Sequence, residues 1–162
     1  LIREVRALRT RASPEALFRS FASLGGERGW LVWNWAWALR GFLDRLLGGP
    51  GLRRGRRHPT ELLPGEAVDF WRVEAVEPPR LLRLRAEMRL PGRAWLEWEA
   101  REAEGGSLLV QTAYFEPKGL TGFLYWWALY PIHRRIFSDL ARAIVRDAEA
   151  QAEAPPRGGG AG

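Results

Sequence analysis

At Val68 the apolar residues of this chain change period from about 3.6 to 2, a switch that separates what can be helix from what must be sheet. Before it, residues 2–9 alternate loosely and predict a first strand ending at Thr10. Ser13-Pro14-Glu15-Ala16 then supplies a serine cap, a proline at the first helical position and an acidic first turn, so a helix runs to about Leu24 and closes at Gly25-Gly26. Residues 30–47 repeat large side chains at helical spacing, predicting one amphipathic helix or two short ones. It should bury Trp30, Trp33, Trp37, Phe42, Leu43 and Leu46, turn Arg40, Asp44 and Arg45 away, and stop at Gly48-Gly49-Pro50-Gly51.

Beyond Val68 the chain reads as an antiparallel meander. Residues 68–76 end at Pro78-Pro79; Leu82, Leu84, Ala86, Met88 and Leu90 then alternate with Arg83, Arg85, Glu87 and Arg89. Residues 94–102 set Leu96 and Trp98 against Glu97, Glu99 and Arg101, and Glu104-Gly105-Gly106 turns the chain into residues 108–115. Residues 120–151 form a long helix with the stripe Ile132, Ile136, Leu140 and Ile144, kinked at Pro131 where a backbone donor is missing. Residues 1–151 make one domain, and the Pro- and Gly-rich residues 152–162 a disordered tail.

Nine tryptophans, four of them between Trp30 and Trp37, mean an unusually aromatic core or a cavity for something apolar. The formal charge of +6 is discounted as a nucleic-acid signal, because Lys118 is the only lysine and the arginine excess looks like general compositional bias. No specific nucleic-acid binding is expected. The chain has no cysteine, which removes disulfides and thiolate chemistry and fits a reducing, cytoplasmic compartment. No signal peptide is visible, and the longest apolar run, residues 120–132, is too short for a membrane span. A start at Leu1, directly in a strand-like pattern, fits a segment of a longer protein.

The order strand, two helices, antiparallel meander and long C-terminal helix resembles the α+β helix-grip fold of START-like proteins, the superfamily of polyketide cyclases and Bet v 1-like carriers. The hairpin around Val73-Glu74-Ala75-Val76-Glu77-Pro78-Pro79-Arg80-Leu81-Leu82 carries that likeness. Gly-Gly-Glu-Arg-Gly-Trp at 25–30, Asp-Phe-Trp-Arg-Val-Glu at 69–74, Leu-Pro-Gly-Arg-Ala-Trp-Leu-Glu at 90–97 and Tyr-Trp-Trp-Ala-Leu-Tyr-Pro-Ile-His at 125–133 resemble, more closely, a family of unknown function. That family usually forms the C-terminal half of atypical short-chain dehydrogenases behind an N-terminal Rossmann domain. The resemblance implies a curved antiparallel sheet wrapped around the long helix, with two shorter helices after the first strand. It implies no catalytic residue.

A helix closing over a curved sheet encloses space. Alternation points Leu84, Met88, Leu96, Trp98, Gln111 and Phe115 toward it, while Trp33, Trp37, Trp71, Trp126 and Tyr130 could complete its walls. The same side chains could instead simply fill a core. The leading reading is a hydrophobic small molecule bound there, with no cofactor. An enzyme of the cyclase or dehydratase sort would use Gln111, Tyr114, Tyr130 and His133. A third reading has the tryptophan face dock a Rossmann domain or a second copy of the chain. Arg53, Arg54, Arg56, Arg57 and His58 could hold a phosphate or be a solvated basic loop. Two histidines without cysteine make a metal site improbable, and no Gly-x-Ser-x-Gly or dinucleotide fingerprint is present. Glu97 and Glu99 belong to the polar sheet face, and Asn34, set among tryptophans, is expected to be buried and hydrogen-bonded, either fixing the helix packing or presenting a polar group to a ligand.

Overall fold

The computed structural model describes residues 2–24, 30–49, 58, 61–69, 71–87 and 90–153. Strand β1 (Ile2–Thr10) is followed by helices α1 (Pro14–Ala22) and α2 (Asn34–Leu46). Five strands come next, β2 (Ala67–Val68), β3 (Trp71–Glu77), β4 (Leu81–Ala86), β5 (Gly92–Ala103) and β6 (Gly106–Pro117), before helix α3 (Gly119–Glu153). They form one antiparallel sheet in the order β1-β6-β5-β4-β3-β2. The first strand thus returns to pair with the last and leaves the meander intact between them. The closing glycines of α1, Met88 and the tail residues 154–162 lie outside the described residues.

Local chemistry sets the elements. Ser13 Oγ accepts from Ala16 N at 3.1 Å and Pro14 opens the helix, so α1 begins where the cap signal placed it. At the β5–β6 turn Gly105 has φ +77, and a side chain on Gly106 would meet Thr10 O at 2.1 Å; the tight turn therefore needs both glycines. Across the sheet, register puts Leu84 opposite Leu96 and Leu96 opposite Ala113, forming one inward row, with Leu82, Trp98 and Gln111 in the next. Against these rows pack Leu17 and Phe21 of α1 and the α3 stripe Ile136, Leu140, Ile144 and Ala148, all buried. Each such aliphatic burial contributes about 1.5–3 kcal/mol, which makes this layered region the energetic centre of the fold.

Polar links fix the layers relative to each other. Ser20 Oγ donates to Asp147 Oδ2 at 2.7 Å, Thr10 Oγ1 to Glu149 Oε1 at 2.7 Å, and the Gln111 amide to the Phe137 carbonyl at 2.9 Å. All three join α3 to an earlier element, so the long helix is seated on the sheet by hydrogen bonds as well as packing. The outer sheet face carries an ion-pair ladder. Arg83 donates to Glu97 through Nε at 3.0 Å and an Nη at 2.7 Å, and Arg101 and Arg80 pair with Glu99. Glu97 and Glu99 thus take the face that alternation assigned, although Glu97 is buried there under Arg83 and Tyr114.

The second helix departs from expectation. It starts at Asn34, because Leu31 and Trp33 adopt positive φ (69° and 55°) and cannot be helical. Trp37 stacks on buried Trp30 at 5.2 Å between ring centroids, and this contact sets the rotation of α2. Its inward stripe is Trp37, Gly41 and Asp44; Phe42, Leu43 and Leu46, expected inside, are exposed. Asp44, expected outside, is fully buried, and a side chain on Gly49 would strike its carboxylate. Asn34 is exposed and not buried, with Oδ1 accepting from Trp30 N at 3.0 Å, so the amide braces the entry turn.

Candidate functional site

Between α2, the first half of α3 and the ends of β5 and β6 lies an apolar cavity of about 310 Å³, within the size range of small-molecule pockets. Trp37 and Trp71 form one wall, where Trp30, Trp37 and Trp71 make a cluster continued by Phe137 at 6.5 Å from Trp37. Phe115 stacks on Trp126 at 5.4 Å and forms the opposite wall. Ala94 and Ala113, small residues on the inner sheet face, leave the space that larger side chains would occupy.

Three polar side chains reach this apolar space. Arg40 comes from α2, and its Nη2 donates to the Tyr125 hydroxyl of α3 at 3.2 Å, so the two helices meet across the cavity through a polar pair. His133, also on α3, lies among Trp126 and Phe137 with its buried Nδ1 lacking a hydrogen-bond partner. Burial first, and the nearby Arg40 charge second, pull His133 down to about 4 from its ordinary 6.5. The imidazole is therefore neutral at physiological pH.

The eleven residues that sequence assigned to the cavity divide. Trp37, Trp71, Phe115 and Trp126 line it. Leu84, Leu96 and Trp98 face inward as alternation requires, but α1 and the second half of α3 cover them completely, so they are core. Gln111 is consumed in structure, accepting from Trp98 Nε1 at 2.8 Å while donating to Phe137 O. Trp33 lies outside the cavity and donates to Asp139 Oδ2 at 2.7 Å, tying the entry of α2 to α3. Tyr130 packs between Trp126 and Trp127 without lining the cavity. Met88 lies outside the described residues.

Of the acid–base candidates, His133 and Tyr114 line the cavity, yet the Tyr114 hydroxyl donates to Glu97 at 3.4 Å on the outer face. Sequence reasoning missed Arg40 and Tyr125. Arg40, expected to turn away, stands three residues after Trp37, a spacing that places both on one side of a helix, and Tyr125 lay in a run read for hydropathy and family likeness but not for its hydroxyl. The arginine cluster at 53–57 lies outside the described residues, so its reading as a phosphate cradle or a solvated loop is untouched. Among the described residues, no group of three or more acidic or histidine side chains is placed to hold a metal ion, and no helix is long and apolar enough to cross a membrane.

An antiparallel six-stranded sheet gripping a long C-terminal helix, with two shorter helices after the first strand and space left between, defines the Bet v 1-like helix-grip fold. Within that class the chain belongs to the family described as protein of unknown function (DUF2867), whose pattern matches residues 1–140. No curated protein matches it in sequence. Solved structures share the fold at low identity. Ara h 8.0201 is 12% identical with a TM-score of 0.55, covering 92% of this chain and 98% of its own. Norcoclaurine synthase from Thalictrum flavum is 13% identical with a TM-score of 0.53, over 94% and 88% of the two chains. Aha1 from Colwellia psychrerythraea, solved as a dimer, is 9% identical with a TM-score of 0.52, over 90% and 97%.

Proposed function

We propose that this chain binds an apolar small molecule carrying one anionic group, with the apolar body between Trp37, Trp71, Phe115 and Trp126 and the anion at Arg40. The cavity of about 310 Å³ carries this reading, because it is walled by aromatic rings yet holds a guanidinium paired with a tyrosine hydroxyl. A charge-assisted contact in such surroundings orients a ligand that rings alone would leave free to tumble. Binding is favoured over proton-transfer catalysis, since an imidazole held near 4 is a weak base at neutral pH. A place beside an N-terminal Rossmann-type dehydrogenase domain in a cytoplasmic protein rests on the sequence resemblance and composition, and implies that residues 1–162 alone bind neither NAD nor NADP.

The test uses 4-phenylbutyrate and the matching alcohol as probes, read by calorimetry and by melting temperature. The carboxylate is expected to bind and raise the melting temperature, with Arg40→Gln reducing its affinity about tenfold and leaving the alcohol unaffected. Ala113→Leu, which fills the cavity, is expected to abolish binding of both while costing under about 1 kcal/mol. A cost of about 1–3 kcal/mol, the mark of an overpacked core, together with no binding by the parent chain, would overturn the reading.

A further inference from the structure

Both helices that frame the cavity carry apolar residues on two opposite sides. On α2 the stripe Trp35, Leu39, Phe42, Leu43 and Leu46 follows the helical spacing i, i+4, i+7, i+8, i+11 and faces water, opposite the inward Trp37, Gly41 and Asp44. On α3, Leu120, Phe123, Leu124 and Trp127 repeat at i, i+3, i+4, i+7 and are likewise exposed, opposite buried Gly122 and Trp126. Trp35 and Trp127 are 67% and 65% exposed. Trp35, Leu39 and Leu43 of the α2 stripe, and Ile132 further along α3, are exposed and also line the cavity, so the α2 stripe reaches its mouth. Exposed apolar stripes of this kind mark a surface that another apolar phase covers.

Charge selects that phase. Residues 119–135 contain no carboxylate, and the only one on α2 is Asp44, which is fully buried. On these stretches of α2 and α3 the exposed charges, Arg45, Arg134 and Arg135, are all positive, and just before α3 Lys118 stands beside one exposed carboxylate, Glu116. Tryptophan, phenylalanine and leucine flanked by cations, with no outward anion on either helical stretch, is the composition of a helix face lying in a lipid interface. We propose that the α2–α3 face docks on an anionic bilayer surface without spanning it, with the cavity mouth turned toward the lipid. Basic residues meet anionic headgroups at the rim while Trp35, Phe42, Leu46, Leu124 and Trp127 enter the interfacial layer. This goes beyond ligand binding, and it is tested without ligand.

The chain is mixed with vesicles of phosphatidylcholine alone, or with about one-third phosphatidylglycerol, and partition is read by cosedimentation. Association with the anionic vesicles is expected to be about tenfold stronger than with the neutral ones. Leu46→Ser combined with Trp127→Ser, at exposed positions outside the cavity lining, should reduce it about tenfold, as should Arg45→Glu combined with Lys118→Glu. Ala113→Leu should leave it unchanged, which separates this proposal from the ligand reading. Failure to bind either vesicle, or equal binding to both, overturns the proposal. So does a dimer in sedimentation velocity that Trp127→Ser dissociates, since a second copy would then be the cover.

Discussion

The two halves of the molecule use the same kinds of residue in opposite ways. Where α1 and the second half of α3 lie on the sheet, apolar side chains converge: Leu17, Phe21, Leu96, Leu140 and Ile144 are inaccessible, and Ser20, Thr10 and Gln111 tie the layers together. Where α2 and the first half of α3 meet, apolar side chains, many of them aromatic, surround a void and continue onto the outer surface. Stability resides in the first half, and the second is where the proposed recognition lies. A count of hydrophobic residues would not distinguish them; their partners do.

The sharpest way to break this contrast is paired truncation. Leu140→Ala should cost about 2–5 kcal/mol in urea unfolding, because it opens a cavity in a filled region. Leu46→Ala on the exposed stripe should stay within about 0.5 kcal/mol. Equal losses would refute the division. Next in size is a pH effect confined to the open half. With His133 held near 4 when folded and near 6.5 when unfolded, protonation favours the unfolded chain. Stability is therefore complete above pH 6.5 and falls as pH drops toward 4, by roughly 3 kcal/mol in all. His133→Phe should remove that slope, measured as the difference between urea midpoints along the pH series. The smallest effect is at the closed half, where Ser13→Ala should cost about 1 kcal/mol by freeing the Ala16 amide.

The closed half was legible in sequence because local signals and packing agree there. Ser13-Pro14 began α1, the period of 2 drew β4 to β6, and of the expected stripe Ile132, Ile136, Leu140 and Ile144 the last three pack, whereas Ile132 is exposed beside the cavity. The open half was not. In residues 30–47 two apolar stripes compete, and periodicity alone cannot say which turns inward. Positive φ at Leu31 and Trp33, together with the Trp30–Trp37 stack, makes that choice through contacts remote from any local pattern. Likewise, alternation identified Leu84, Leu96 and Trp98 as inward, but the position of α1 decided that inward there means filled.

Gly122 gives the long helix a mechanical character. A side chain there would meet Pro91 O at 2.5 Å and Pro117 at 2.9 Å, so the start of α3 is pressed directly against the sheet's end. Far along the helix, Asp147 and Glu149 anchor it again. At about 1.5 Å per residue the 35 residues of α3 span roughly 50 Å. Arg134 and Phe137, whose carbonyls accept from Arg6 and Gln111, hold it in the middle as well, so the stretch between Gly122 and Arg134 is a beam supported at both ends, and such a beam deflects most between its supports. Trp126 and His133, which roof the void, sit in that span, and Pro131 between them offers no N–H to the carbonyl of Trp127 and softens the rod locally. Under the proposed function, a guest is accommodated by bending this short span, while the supports and the sheet beneath stay where they are.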